Sequence, residues 1–159
     1  MKQRILFLCT GNSARSQMAE AMLLLIAGDH FNAESAGTHP SGLNPMTVEV
    51  MKELGVDVRQ HRSKHVAEFL GQPFDYVITV CDRAKETCPV FPGARAVRHW
   101  SLDDPAKASQ VTRLDAFRRV RDEIAERLWQ FLIKDVQLSS VVLQRDDRSF
   151  SFPPASTVP

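Results

Sequence analysis

Residues 5–16 read Ile5-Leu6-Phe7-Leu8-Cys9-Thr10-Gly11-Asn12-Ser13-Ala14-Arg15-Ser16. Four apolar residues that give way to small and polar ones read as a buried strand ending in a loop. Apolar residues then recur at Met18, Ala21, Met22 and Leu25, the spacing of a helix face. The cysteine and the arginine that frame the loop are separated by five residues. Between them, successive backbone N–H groups can turn inward on one anion. The following helix adds its positive N-terminal end, and the Arg15 guanidinium can bind two oxygens at once. Thr10, Gly11, Asn12, Ser13, Ala14 and Arg15 are therefore the candidate oxyanion-binding residues, with Gly11 permitting the turn. Cys9 is the candidate nucleophile, its thiol pKa expected to be lowered by the same positive field, and Ser16 is placed to hydrogen-bond the thiolate.

A plainer reading makes Cys9 a small buried residue at a strand end, but it leaves the arginine, the turn and the helix start unexplained. A lipoprotein signal fails as well. The apolar stretch is too short for a signal core, and a bulky Leu8 precedes the cysteine.

Two further cysteines complete the chain's three. Cys81 ends the strand-like run Tyr76-Val77-Ile78-Thr79-Val80, and Cys88 follows across the polar segment Asp82-Arg83-Ala84-Lys85-Glu86-Thr87. Alone, Cys81 reads as a core thiol and Cys88 as a loop thiol. Together with a nucleophilic thiol elsewhere, they argue for a relay. If the segment is helical, the thiols are separated by about 10 Å of rise, whereas disulfide Cα atoms lie roughly 4.4–6.8 Å apart. Oxidation then requires part of the helix to unwind. Paired zinc-ligand spacings are missing, so no metal is expected.

Residues His99-Trp100-Ser101-Leu102-Asp103-Asp104-Pro105-Ala106 place carboxylates on a turn after a strand. Asp104, fixed beside Pro105, is the better candidate for a general acid over the anion site. Capping of the next turn explains the same residue equally well.

These residues resemble the thioredoxin-coupled arsenate reductases, which share the low-molecular-weight protein tyrosine phosphatase fold. The resemblance rests on Cys9-Thr10-Gly11-Asn12-Ser13 with Arg15-Ser16 and Gln17-Met18-Ala19-Glu20. It continues through Glu34-Ser35-Ala36-Gly37-Thr38, Asn44-Pro45, Met51-Lys52-Glu53, the Cys81/Cys88 pair, Trp100, Asp103-Asp104-Pro105-Ala106 and residues 117–124. It implies that Cys9 attacks arsenate held by the loop amides and Arg15, with Asp104 as acid and Ser16 tuning the thiolate. Cys81 then attacks Cys9 and releases arsenite, Cys88 attacks Cys81, and thioredoxin reduces the final disulfide. Phosphate and sulfate would compete for the loop.

Position 14 is Ala where some relatives carry another cysteine. Some members also bind potassium through residues matching Asn12, Glu20 and Ser35 and two later positions, which here are Arg62 and Lys64. The Lys64 ammonium, or Arg62, is expected to stand where that cation would be, so potassium is not required. The other reading leaves both as solvated surface charges.

The chain has 159 residues, 43% of them hydrophobic, and a formal charge of +1 at pH 7. That suits one domain with a sizeable core and gives no basic footprint for nucleic acid. No stretch is long enough to span a membrane. The relay needs a reducing compartment, so a cytoplasmic monomer without a tightly bound cofactor is expected. Strands are predicted at 4–8, 32–36, 75–80 and 96–99, and helices at 16–27, 45–54 and 115–134. Such alternation gives a single α/β domain over 1–135: a four-stranded parallel sheet in a three-layer α/β/α arrangement, with the site at the carboxyl ends of the strands. The charged side of the last helix, from Arg118 through Arg121 to Arg127, reads as a solvated face, and Trp100 and Trp129 as packing residues. Residues 136–159, whose one apolar patch is Val141-Val142-Leu143, are expected to form a disordered tail.

A tyrosine phosphatase is the competing enzyme. It needs neither Cys81 nor Cys88, and Ala106 stands where such enzymes place an aromatic against the substrate ring. A non-catalytic oxyanion binder would need neither Asp104 nor three thiols.

Overall fold

The computed structural model describes residues 1–138. Four parallel strands, β1 (Gln3–Cys9), β2 (Phe31–Gly37), β3 (Tyr76–Thr79) and β4 (Ala96–His99), form one sheet in the order β2-β1-β3-β4. Four α-helices, α1 (Arg15–Ala27), α2 (Pro45–Lys52), α3 (Asp82–Thr87) and α4 (Arg113–Lys134), connect or follow them. Two short 3₁₀ turns, Val66–Phe69 and Pro105–Lys107, were not foreseen. The expected α/β architecture is present, with boundaries shifted by one or two residues.

Side chains alternate across the sheet with period two. Ile5, Phe7, Tyr76 and Ile78 face the larger core under α1, α2 and α4, while Leu6, Leu8 and Val77 face the other side. The two outer layers are unequal. The second face is covered by Val66, Phe69, Phe74 and Phe91 from short segments, with Phe74 meeting the rings of Phe69 and Phe91 edge-on at centroid distances of 5.9 and 5.8 Å. Trp100 packs between Phe7 and Phe131, as its reading predicted.

From β1 the chain runs through α1 to β2 at one edge, then crosses back over β1 through α2 to β3 on its other side. The order therefore reverses at the β1/β3 pair, and the crevice beyond their carboxyl ends is where an open α/β sheet binds ligands. Cys9 and Cys81 emerge there. Leu8 pairs with Thr79 in the sheet register, which sets the two thiol-bearing loops side by side.

Two sequence readings are corrected. Arg121 is not on a solvated face: it is buried, and its Nη1 donates to the Val50 carbonyl at 3.0 Å and to Glu53 at 2.7 Å. A helical-wheel reading of α4 alone cannot register that the last turn of α2 lies across it. The chain also stays packed slightly past 135, because the Val136 and Leu138 amides donate back to Phe131 and Leu132. The rest of the tail, with its Val141-Val142-Leu143 patch, lies outside the described residues.

Candidate active site

The loop from Cys9 to Arg15 closes on its own sulfur. The Asn12 N–H donates to Cys9 Sγ at 3.0 Å, and the Ser16 hydroxyl lies 2.8 Å from the same atom. Asn12, not Gly11, makes the turn: its φ is +46°, a left-handed conformation that asparagine tolerates. The conformation is held from all sides. The Asn12 amide donates to the Ser16 and Ser35 hydroxyls, both at 2.9 Å. Its Oδ1 accepts from Gln17 at 3.0 Å and from the Lys64 N–H at 2.9 Å. From below, Gly37 allows the loop to lie directly on β2, since a Cβ there would come 2.3 Å from the Thr10 carbonyl oxygen.

α1 begins at Arg15 with no side-chain cap, so its first N–H groups keep their capacity for an anion. Arg15 Nη1 donates to the Leu102 carbonyl at 2.9 Å, and Nη2 lies 3.8 Å from Asp104 Oδ2. Asp104 takes the capping role of its second sequence reading and also stands beside Arg15. Oδ1 accepts from the Ala106 N–H at 3.0 Å and caps the following turn, which leaves Oδ2 toward Arg15.

Cys9 is 3% exposed, and this burial reverses one expectation. Desolvation pushes its thiol above the ordinary range and outweighs the bonds from Ser16 and Asn12, which pull it down, while nearby Cys81 raises it further. The sequence reading counted the loop's positive field and not the cost of burying a thiolate.

Cys81 is buried beside the loop, its sulfur 3.4 Å from the Thr10 hydroxyl and 3.4 Å from the Ala84 N–H, which it caps. Cys88 stands at the other end of α3, half-buried, its thiol pushed up by burial. The intervening segment is helical, so the condition attached to the relay reading is met. An open cleft of about 740 Å³ is lined by Thr10, Arg15, Cys81, Leu102, Asp104 and Lys107 among others, none of them aromatic. Tyr76, the one tyrosine, is buried in the core.

The first two turns of α1 are buried on all sides, so the polar Gln17 and Glu20 need partners. Residues 61–65 supply them. Gln17 Nε2 donates to the Arg62 carbonyl at 3.0 Å, and the Ser63 hydroxyl donates to the Asn12 carbonyl at 2.7 Å. His61 Nδ1 lies 3.2 Å from Gln17 Oε1 and 3.6 Å from Glu20. This buttress was missed because nothing local in 61–65 marks it. Of the two basic residues considered for the cation position, Lys64 is the one beside Glu20: its Nζ is 3.4 Å from Glu20 Oε1 and 2.9 Å from Glu34 Oε2. Arg62 turns away to Glu68. Glu20 is hydrogen-bonded by Ser35 at 3.1 Å, which joins the ammonium to the Asn12 network. The His39 ring lies against the hydroxyl of neighbouring Thr38, while its backbone N–H donates to the Thr10 carbonyl at 2.8 Å.

Residues 4–142 match the low molecular weight phosphotyrosine protein phosphatase family. An arsenate reductase of Halalkalibacterium halodurans is 44% identical over 132 residues, covering 82% of this chain and 95% of that one. Among solved structures, an arsenate reductase in the phosphate-binding state superposes with a TM-score of 0.70 at 29% identity, covering 83% of this chain and 98% of the other. A thioredoxin-dependent arsenate reductase of Corynebacterium glutamicum gives 0.68 at 29% identity, covering 86% and 62%.

Proposed function

The chain belongs to the low molecular weight phosphotyrosine protein phosphatase family and to its arsenate reductases, and from that premise we propose that it reduces arsenate by a three-cysteine relay. The observation that carries the relay is Cys81, a second buried thiol whose sulfur lies 3.4 Å from the hydroxyl of the residue next to Cys9. Phosphoester hydrolysis has no use for it.

In this reading Thr10 to Arg15 bind arsenate as they would bind phosphate or sulfate. Cys9 attacks arsenic, and an oxygen leaves as water with a proton from Asp104. The Ser16 hydroxyl donates to Cys9 as its thiolate forms. The Cys81 thiolate then bonds to the Cys9 sulfur. The sulfur–arsenic bond breaks with its electron pair staying on arsenic, which leaves as arsenite in the +3 state. The Cys88 thiolate next attacks Cys81, freeing the Cys9 thiolate and leaving a Cys81–Cys88 disulfide for thioredoxin to reduce. A monomer in the reducing cytoplasm suits this chemistry. Lys64 beside Glu20 and Glu34 supports a loop that does not depend on potassium.

The test follows NADPH consumption with arsenate, thioredoxin and thioredoxin reductase. Arsenate-dependent turnover that collapses in Cys88→Ser is the expected result. Turnover only with glutathione and glutaredoxin would replace the electron donor. Absence of turnover with either donor, alongside efficient phosphoester hydrolysis, would overturn the reductase in favour of a phosphatase.

A further inference from the structure

α3 is six residues long, with Cys81 at its N-cap and Cys88 at its C-cap. Its two ends are held differently. Asp82 Oδ1 accepts from His99 Nε2 at 2.8 Å and from the Ser101 hydroxyl at 3.1 Å. His99 Nδ1 lies 2.7 Å from the Thr79 hydroxyl. These four residues tie the first turn of α3 to the ends of β3 and β4 and to the loop that leads to Asp104. Ser101 precedes Leu102, whose carbonyl holds Arg15. Among the described residues, no hydrogen bond or ion pair joins residues 85–88 to another element. Cys88 is held there only by packing against the smaller core and by its bond to the adjacent Pro89 carbonyl.

For Cys88 to reach Cys81, about 10 Å of helical rise must close to a Cα separation of roughly 4.4–6.8 Å. Opening from the N-terminal end would break both bonds to Asp82. It would also carry Cys81 away from Thr10, the neighbour that places it beside Cys9. Opening from the C-terminal end breaks hydrogen bonds only within a short helix, which has little stability of its own, and gives up the packing of the half-buried Cys88.

We infer that Asp82 and His99 are positioning residues for sulfur transfer. They pin the first turn of α3 so that Cys81 stays beside Cys9, and the turn carrying Cys88 is the part that moves. This rests on the reductase reading above. His99 and Ser101 also keep the Asp82 carboxyl below its ordinary range, so it remains an acceptor at neutral pH.

The experiment uses the full chain in a Cys88→Ser background, where arsenite release reports only the attack of Cys81 on Cys9. Single-turnover arsenite release is expected to slow at least ~10-fold in Asp82→Ala, the scale of loss from misplacing a reacting group. Asp82→Asn, which keeps an oxygen for His99 and Ser101, should recover most of the rate. Protection of Cys9 from iodoacetamide by phosphate should be the same in all three proteins because anion binding depends on the loop and not on α3. Release from Asp82→Ala at the parent rate would overturn the inference. So would a parallel loss of phosphate protection, which would mark general damage to the site. If the parent chain releases no arsenite, the reductase reading itself falls and takes this inference with it. An active parent matched by Asp82→Ala removes the positioning role alone.

Discussion

Gly37 and Thr10 touch backbone to backbone: a Cβ on Gly37 would meet the Thr10 carbonyl oxygen at 2.3 Å and the Asn12 nitrogen at 2.9 Å. Neither atom can swing aside as a side chain could. Gly37→Ala must lift the oxyanion loop off β2, at about 1–3 kcal/mol of stability. It should lower kcat/KM for arsenate on the order of 100-fold. Thermal unfolding and steady-state kinetics check the two numbers separately, and a variant that keeps wild-type kinetics would show that the loop does not need this seat.

Ser16 pulls the Cys9 thiol down against the upward push of burial. Ser16→Ala removes that pull, so Cys9 should titrate at higher pH than in the wild type and alkylate more slowly at neutral pH. The pH profile of iodoacetamide modification, mapped to Cys9 by mass spectrometry, reads this directly. An unchanged profile would deny Ser16 any role in tuning the thiol.

Burial raises the Glu20 carboxyl, while Lys64, His61 and Ser35 pull it back. Replacing Lys64 by Met removes the counter-charge 3.4 Å away and should cost about 3 kcal/mol at neutral pH. The sign with pH follows from a raised folded pKa. Once Glu20 is protonated at acidic pH nothing is left unpaired and the cost shrinks, and it grows as pH rises through the Glu20 titration. Wild-type turnover should be the same in potassium and in sodium at constant ionic strength. A clear preference for potassium would show that Lys64 does not fill the cation position.

Glu53 sits where α2 meets α4. Bonds from Arg118 and Arg121 lower its pKa to about 2. Its contribution to stability is present above the ordinary carboxylate pKa and is lost as pH falls toward 2. Because the side chain is 38% exposed, screening limits that contribution to about 1 kcal/mol. Glu53→Gln should show this deficit in denaturant melts at pH 7 and none near pH 2. A deficit that persists at low pH would assign the loss to packing instead.

The parts of the molecule written as local pattern were legible beforehand. The apolar run before Cys9, the apolar spacing after it and the Asp104-Pro105 step locate β1, α1 and the acid loop without any partner residue. What escaped notice depends on pairings between distant segments. Asn12 takes the left-handed turn because Ser35, Gln17 and Lys64 satisfy its side chain. Arg121 is buried because α2 crosses it. The Cys9 thiol is pushed up because it is buried at the base of the loop by segments distant in sequence. Asp82 and His99 are 17 positions apart and meet only through the β3/β4 pairing.

β1 is hydrogen-bonded on both sides, to β2 from Gln3 to Cys9 and to β3 from Ile5 to Leu8. Amides in such a strand exchange with solvent only when the whole domain unfolds, whereas those of a six-residue helix exchange through local opening. Cys9 is thus rooted in the element that opens last, and Cys88 at the end of one that opens readily. In the proposed relay stiffness is graded along the path of the disulfide, so Cys9 keeps its place while the far thiol comes to Cys81.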